Sequence, residues 1–153
     1  MSTVPTLNGQ VIGQAHYATR ALLERAVTPL GLSFGQVLAL NVLAAGPIER
    51  DRFVHRITST LKVDEPAVHE VITQLVDADL ARVDGPATAA DGPEPQVALT
   101  DAGHAARRGV AAAVAGIGAR LYADIPTDEA STAARVLALV TERANAELAA
   151  SPG

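Results

Sequence analysis

Apolar positions recur at every third or fourth residue through most of this chain and change to alternation only near its middle. A first helix is predicted from about Asn8 to Pro29, with Val11, Ala15, Ala18, Leu22 and Ala26 in one stripe. Leu30-Gly31-Leu32 ends it, Gly31 acting as the stop. Ser33 and Gln36 have the spacing of a capping box, a hydroxyl at the cap and an amide side chain three residues on. They open a second helix to about Ala45, in which Val37, Leu38, Leu40, Val42 and Leu43 are apolar, and Gly46-Pro47 stops it. A third helix, from about Glu49 to Thr60, turns Phe53, Val54, Ile57 and Leu61 inward and leaves Arg50, Arg52 and Arg56 as a basic outer face.

The stretch that follows organises the rest. Ile57 to Val63 reads as the end of that helix and a tight turn. Asp64 is placed to cap a fourth helix by accepting its first free N–H groups, and Pro66 falls in the first turn, where a missing N–H costs nothing. Val68, Val71, Ile72, Leu75 and Val76 give that helix a buried face. Leu80 to Val83 reads as a short strand, and Gln96 to Leu99 as its partner across a Gly/Pro-rich loop. Helix, turn, helix, strand, loop, strand is the order of a winged helix-turn-helix. In such a module the second helix enters the DNA major groove and the hairpin reaches the backbone or minor groove.

Two more helices are predicted beyond it. Thr100-Asp101 caps a long one reaching about Ala123, rich in small residues such as Ala105, Gly109, Ala112, Ala113, Gly116 and Ala119. Ile125-Pro126-Thr127 breaks the pattern, and Thr127 caps a last helix through about Ala149, with Asp128 and Glu129 at its positive end. Its stripe is Ala134, Leu137, Ala138, Val140, Ala144 and Leu148. Residues 1–7 read as a loose tail. The expected class is mainly α with a small β-hairpin wing, in one domain over 1–153. Residues 33–100 form the winged unit, and residues 8–30 and 101–150 form a helical dimerisation platform. The alternative is a monomer that packs the same helices on itself.

Charge complicates this picture. The net charge is −5, but it is uneven: residues 1–63 carry +3 and residues 101–153 carry −1. Between Asp64 and Thr100 eight acidic residues face Arg82 alone, a net −7. DNA affinity comes largely from Lys and Arg displacing phosphate counterions, so a reading element this acidic should repel a duplex. Aromatic residues are 3% of the chain, so the core is expected to be aliphatic and Ala-rich. The absence of Cys excludes disulfides, thiolate metal sites and Cys nucleophiles. No apolar run is long enough to span a bilayer and the start of the chain lacks the pattern of a secretion signal, so a cytoplasmic location and no membrane partner are expected.

Several pieces, in order and at matching spacing, carry a family resemblance. They are Leu32-Ser33-Phe34-Gly35-Gln36 with Val37 to Leu43, Val63-Asp64 with Val68, Ile72 and Leu75, Leu75 to Arg82, and Leu99-Thr100-Asp101-Ala102-Gly103. Together they resemble the MarR family of dimeric bacterial regulators over nearly the whole chain. The chain departs from that pattern in three places and keeps it in a fourth. Glu65, Pro66, Ala67, His69 and Glu70 stand where the family usually offers small hydroxyl and basic residues. At the wing tip Asp91 fits the family's Asp, but Gly92, Pro93 and Glu94 follow it instead of an Arg. Arg82 is kept at the first wing strand, and the third helix is about one turn longer than usual.

The candidate sites divide by element. His69 and Gln74 are the groups on the fourth helix able to hydrogen-bond to base edges. Arg52, Arg56 and Lys62, with Arg50, are placed to contact phosphates from the third helix and its turn, and Arg82 from the wing. Each also reads as an ordinary solvated residue. The resemblance implies a small-molecule cleft between the platform and the winged unit, lined by His16, Tyr17 and Arg20 with His55 opposite, and it implies an anionic or aromatic ligand. Glu65 with His69, and Asp51 with His55, have i, i+4 spacing but no third ligand, so no metal site and no cofactor are expected. No Gly-rich phosphate loop, nucleophile elbow or paired-carboxylate motif points to an enzyme. Two functions follow. One is a ligand-responsive homodimeric transcriptional regulator acting on double-stranded DNA. The other is a protein of that fold which has lost DNA binding and acts on a small molecule or a protein partner.

Overall fold

The computed structural model describes residues 4–85 and 95–150. Its elements in order are α1 (Gly9–Val27), a 3-10 turn (Thr28–Leu30), α2 (Phe34–Leu43), β1 (Ile48–Glu49), α3 (Arg50–Leu61), α4 (Glu65–Asp77), β2 (Ala81–Asp84), β3 (Gln96–Leu99), α5 (Asp101–Leu121) and α6 (Thr127–Ala150). The chain divides into two compact units, Met1–Ile117 and Gly118–Gly153. The wing-tip residues Asp91, Gly92, Pro93 and Glu94 lie outside the described residues.

Local chemistry explains most of the helix boundaries. Asn8 Oδ1 accepts the Val11 N–H at 2.9 Å and starts α1. The 3-10 turn then closes on Gly31, whose φ of 75° is the left-handed conformation glycine adopts without steric cost. Gly31 N–H bonds to Thr28 O and Leu32 N–H to Val27 O, and the buried side chains of Val27 and Leu32 sit at the two ends of this motif. The Ser33–Gln36 capping box is complete: Ser33 Oγ accepts the Gln36 N–H, and Gln36 Oε1 accepts the Ser33 N–H. Asp64 caps α4 through the Ala67 N–H at 3.3 Å.

The end of α4 repeats the geometry of Gly31 with a different residue. Asp79 N–H bonds to Val76 O and Leu80 N–H to Leu75 O, with Asp79 at φ 61°. Leu80 therefore belongs to the turn, and the strand runs one residue later than its apolar pattern predicts. At the start of α6, Thr127 is the first helical residue and not the cap, because Ala130 N–H already bonds to Pro126 O.

The sheet is antiparallel with order β1-β3-β2. Ala81 pairs with Leu99 and Asp84 with Gln96 across the wing, and Ile48 pairs with Val97 on the other side of β3. The two-residue β1 was not expected from the sequence. It makes β3 the central strand, and Val97, Ala98 and Leu99 are all buried where alternation predicted one exposed face.

One aliphatic core holds α2, α3, α4 and the sheet together. Phe53 is its only aromatic residue, fully buried with Val37, Leu40, Leu43, Ile72, Leu75 and Val97. Val68, Ile72 and Leu75 point inward as predicted, but Val76 is 40% exposed: it lies beyond the buried arc of the helix. α5 meets the sheet through Gly103, where an added Cβ would lie 1.9 Å from Leu80 O. Thr100 locks the same junction: its N–H bonds to Leu80 O, its hydroxyl donates to Asp79 O, and its oxygen accepts the Gly103 N–H.

The predicted stripes of the flanking helices stay open. On α1, Val11, Ala15 and Ala18 are exposed and only Leu22 and Ala26 are half-buried. In the second unit no residue of α6 is buried, and Leu137, Leu139 and Leu148 are among its exposed side chains. Among the described residues no single helix is long and apolar enough to cross a membrane.

Candidate nucleic-acid interface and ligand cleft

The burial of Val68, Ile72 and Leu75 fixes which side of α4 faces outward. That side carries Glu65, Pro66, Glu70, Thr73, Gln74, Val76 and Asp77, all exposed. The helix has no Lys or Arg. The surface that enters the major groove in a winged helix-turn-helix therefore presents three carboxylates and no cation.

The expected base-reading groups are both engaged within the chain. His69 is half-buried, with Nδ1 3.1 Å from Arg50 Nη2. A guanidinium has no acceptor, so the imidazole accepts at Nδ1 and its neutral form carries its proton on Nε2. This contact also draws Arg50 from the outward basic face predicted for it into a half-buried position between α3 and α4. Gln74 Oε1 accepts a hydrogen bond from Gln36 Nε2 at 3.1 Å. Gln36 thus closes the cap of α2 with its oxygen and holds α4 with its nitrogen.

The phosphate candidates divide in two. Arg82 donates from Nε to Asp84 Oδ2 at 2.8 Å and from Nη1 to Leu99 O at 3.4 Å, which lays it along the wing strands. Lys62 ends α3 at φ 58° and its Nζ donates to Ser59 O at 2.6 Å. Arg52 and Arg56 are exposed on α3 and make no ion pair or hydrogen bond among the described residues.

The cleft candidates are brought together only in part. Arg20 lies over the Phe34 ring, 4.2 Å from its centroid, and its Nε donates to Glu24 Oε1 at 2.6 Å. The His16 ring is 6.4 Å from Phe34, edge-on, and 5.7 Å from Tyr17. Beneath Arg20 and Phe34 is a recess of about 250 Å³ walled by Ile57 and Leu61 of α3 and Val68 and Val71 of α4. His16 and Tyr17 are exposed and do not line it. His55 does not face them: it lines a separate recess of about 540 Å³ on the outer side of α3, with Arg52 and Arg56.

Three contributors escaped the sequence reading, Phe34, Gln36 and Arg50 in their roles across helices. A signal existed for Phe34, one of two Phe in the chain and directly after a cap. The other two act through contacts 38 and 19 residues away, which no local pattern marks. Among the described residues no three His, Asp or Glu side chains group to hold a metal ion.

No protein-family model and no curated protein sequence matches the chain. Solved structures do. A mutant MarR from E. coli complexed with operator DNA superposes with a TM-score of 0.71 at 22% identity, over 86% of this chain and 91% of that one. CouR from Rhodococcus jostii RHA1 bound to p-coumaroyl-CoA gives 0.71 at 15% identity, over 87% and 90%. A MarR-family transcriptional regulator from Rhodococcus sp. RHA1 gives 0.72 at 16%, over 87% and 92%. On this likeness over most of each chain, and with the six helices and three-stranded antiparallel sheet of its described residues, the chain folds as a MarR-type winged helix-turn-helix protein.

Proposed function

We propose that this chain is a MarR-type transcriptional regulator that works as a homodimer on double-stranded DNA and responds to a small anionic or aromatic ligand. The observation that carries the reading is the likeness, over most of both chains, to a structure complexed with operator DNA. Residues 33–100 supply the winged unit; residues 8–30 and 101–150 supply the dimer platform. The uncovered apolar side chains of α1 and α6, Val11, Leu137 and Leu148 among them, support the dimer. The ligand seat is the recess under Arg20 and Phe34. Its apolar walls suit a ring, and a guanidinium at its mouth suits a carboxylate. Val68 and Val71 belong to α4, so an occupant there bears directly on the helix that would meet DNA. CouR, bound to p-coumaroyl-CoA, is a precedent for a ligand on this fold.

A second reading is favoured by one observation. The outward face of α4 carries Glu65, Glu70 and Asp77 and no cation, and a helix so charged repels phosphates. On that reading the fold is kept for a small molecule or a protein partner without DNA. The deciding experiment is binding of the purified protein to random-sequence duplex and to its own upstream region, at low and moderate salt. Affinity that falls steeply with salt and prefers one sequence establishes the regulator. No binding even at low salt establishes the second reading.

A further inference from the structure

The outer face of α3 holds the two cations that the winged unit leaves unpaired among its described residues. Arg52 and Arg56 are one turn apart, and Ser59 follows one turn later, so three donors stand in a row. This row lines the recess of about 540 Å³, with His55, Asp51 and Ile48. A second hollow of about 310 Å³ adjoins it past Gly46-Pro47 and Gln96, and shares Ile48, Arg52 and Arg56. The two arginines therefore stand between two concavities, each of the size that small ligands occupy.

We infer that this recess is a binding site for a small organic diphosphate, held by Arg52, Arg56 and Ser59, with its organic group against Ile48. The chemistry selects the ligand. Two guanidinium forks and a hydroxyl offer more donors than the two oxygens of a carboxylate can accept, whereas a diphosphate has oxygens for both forks. Asp51 at one edge keeps the anion at the Arg56–Ser59 end. A DNA backbone is the other phosphate source, and the surroundings disfavour it. A duplex lying along α3 of a helix-turn-helix also meets α4, whose exposed Glu65, Glu70 and Asp77 oppose it. A small ligand touches α3 and Ile48 and does not reach the exposed carboxylates of α4. The inference goes beyond the regulator reading and does not depend on it.

The test is isothermal titration of the full chain at moderate salt with ADP and inorganic pyrophosphate, and with adenosine as the phosphate-free control. One saturable site per chain is expected for ADP and pyrophosphate, with no adenosine binding. The Arg52→Gln/Arg56→Gln variant should lose at least tenfold in affinity while its thermal midpoint stays unchanged, as both side chains are exposed. Asp51→Asn should bind more tightly. The inference is overturned if neither ADP nor pyrophosphate saturates, if the double variant binds ADP as well as the parent, or if these arginines bind only duplex DNA.

Discussion

Asp79 holds a backbone conformation that glycine adopts freely. Its φ of 61° matches the place of Gly31 after the first helix, and the same pair of backbone bonds surrounds each. An L-residue there bears steric strain of about 1–2 kcal/mol, partly offset by the extra chain entropy glycine brings to the unfolded state. Asp79→Gly should therefore raise stability by about 0.5–1 kcal/mol, measured by denaturant unfolding; a loss of stability would refute this account of the turn. Gly103 is the opposite case. A Cβ there would meet Leu80 O at 1.9 Å, and the obstacle is backbone, which cannot step aside. Gly103→Ala should cost about 3 kcal/mol, the upper range for overpacking, and a melt unchanged from the parent would sink the argument.

α4 answers to two neighbours at once. Its inner face rests on the core and on the recess under Phe34, and its outer face carries the carboxylates. Replacing Glu70 and Asp77 with Lys should tighten binding to random duplex DNA. It should also steepen the slope of log affinity against log salt by about 0.9 for each phosphate newly contacted. An unchanged slope would mean that α4 does not face the duplex. In the recess, Arg20→Gln should weaken binding of an aromatic carboxylate such as benzoate about tenfold, read by titration; equal affinity would remove Arg20 from the ligand seat. The legible parts of these elements were those decided within a few residues. Ser33 with Gln36, Asp64 with Ala67, and Gly31 all declare themselves through caps and stops that span one turn. β1 was illegible because two residues carry no period and its partner Val97 is far along the chain. The Arg20–Phe34 stack and the Arg50–His69 contact depend on how helices cross, which spacing along one helix does not encode.

At the scale of the whole molecule, the uncovered apolar side chains of α1 and α6 set the expected assembly. Leu137→Glu with Leu148→Glu should convert a dimer to a monomer in light scattering, because each carboxylate would be buried without a partner. A parent protein that is already monomeric at micromolar concentration would overturn the platform. The junction at Thr100 bears on how any such assembly communicates. Thr100 and Gly103 fasten the start of α5 to Asp79 and Leu80, the turn that directly follows α4. Two Thr100 bonds and the close approach of Gly103 to Leu80 O pin the start of α5 beside the end of α4, although the chain between them runs out through the wing strands. With these contacts kept, a displacement of the start of α5 should carry the end of α4 with it, as a gear with little backlash would. Loosening the junction by Thr100→Val should leave ligand affinity intact while uncoupling that affinity from whatever α4 binds.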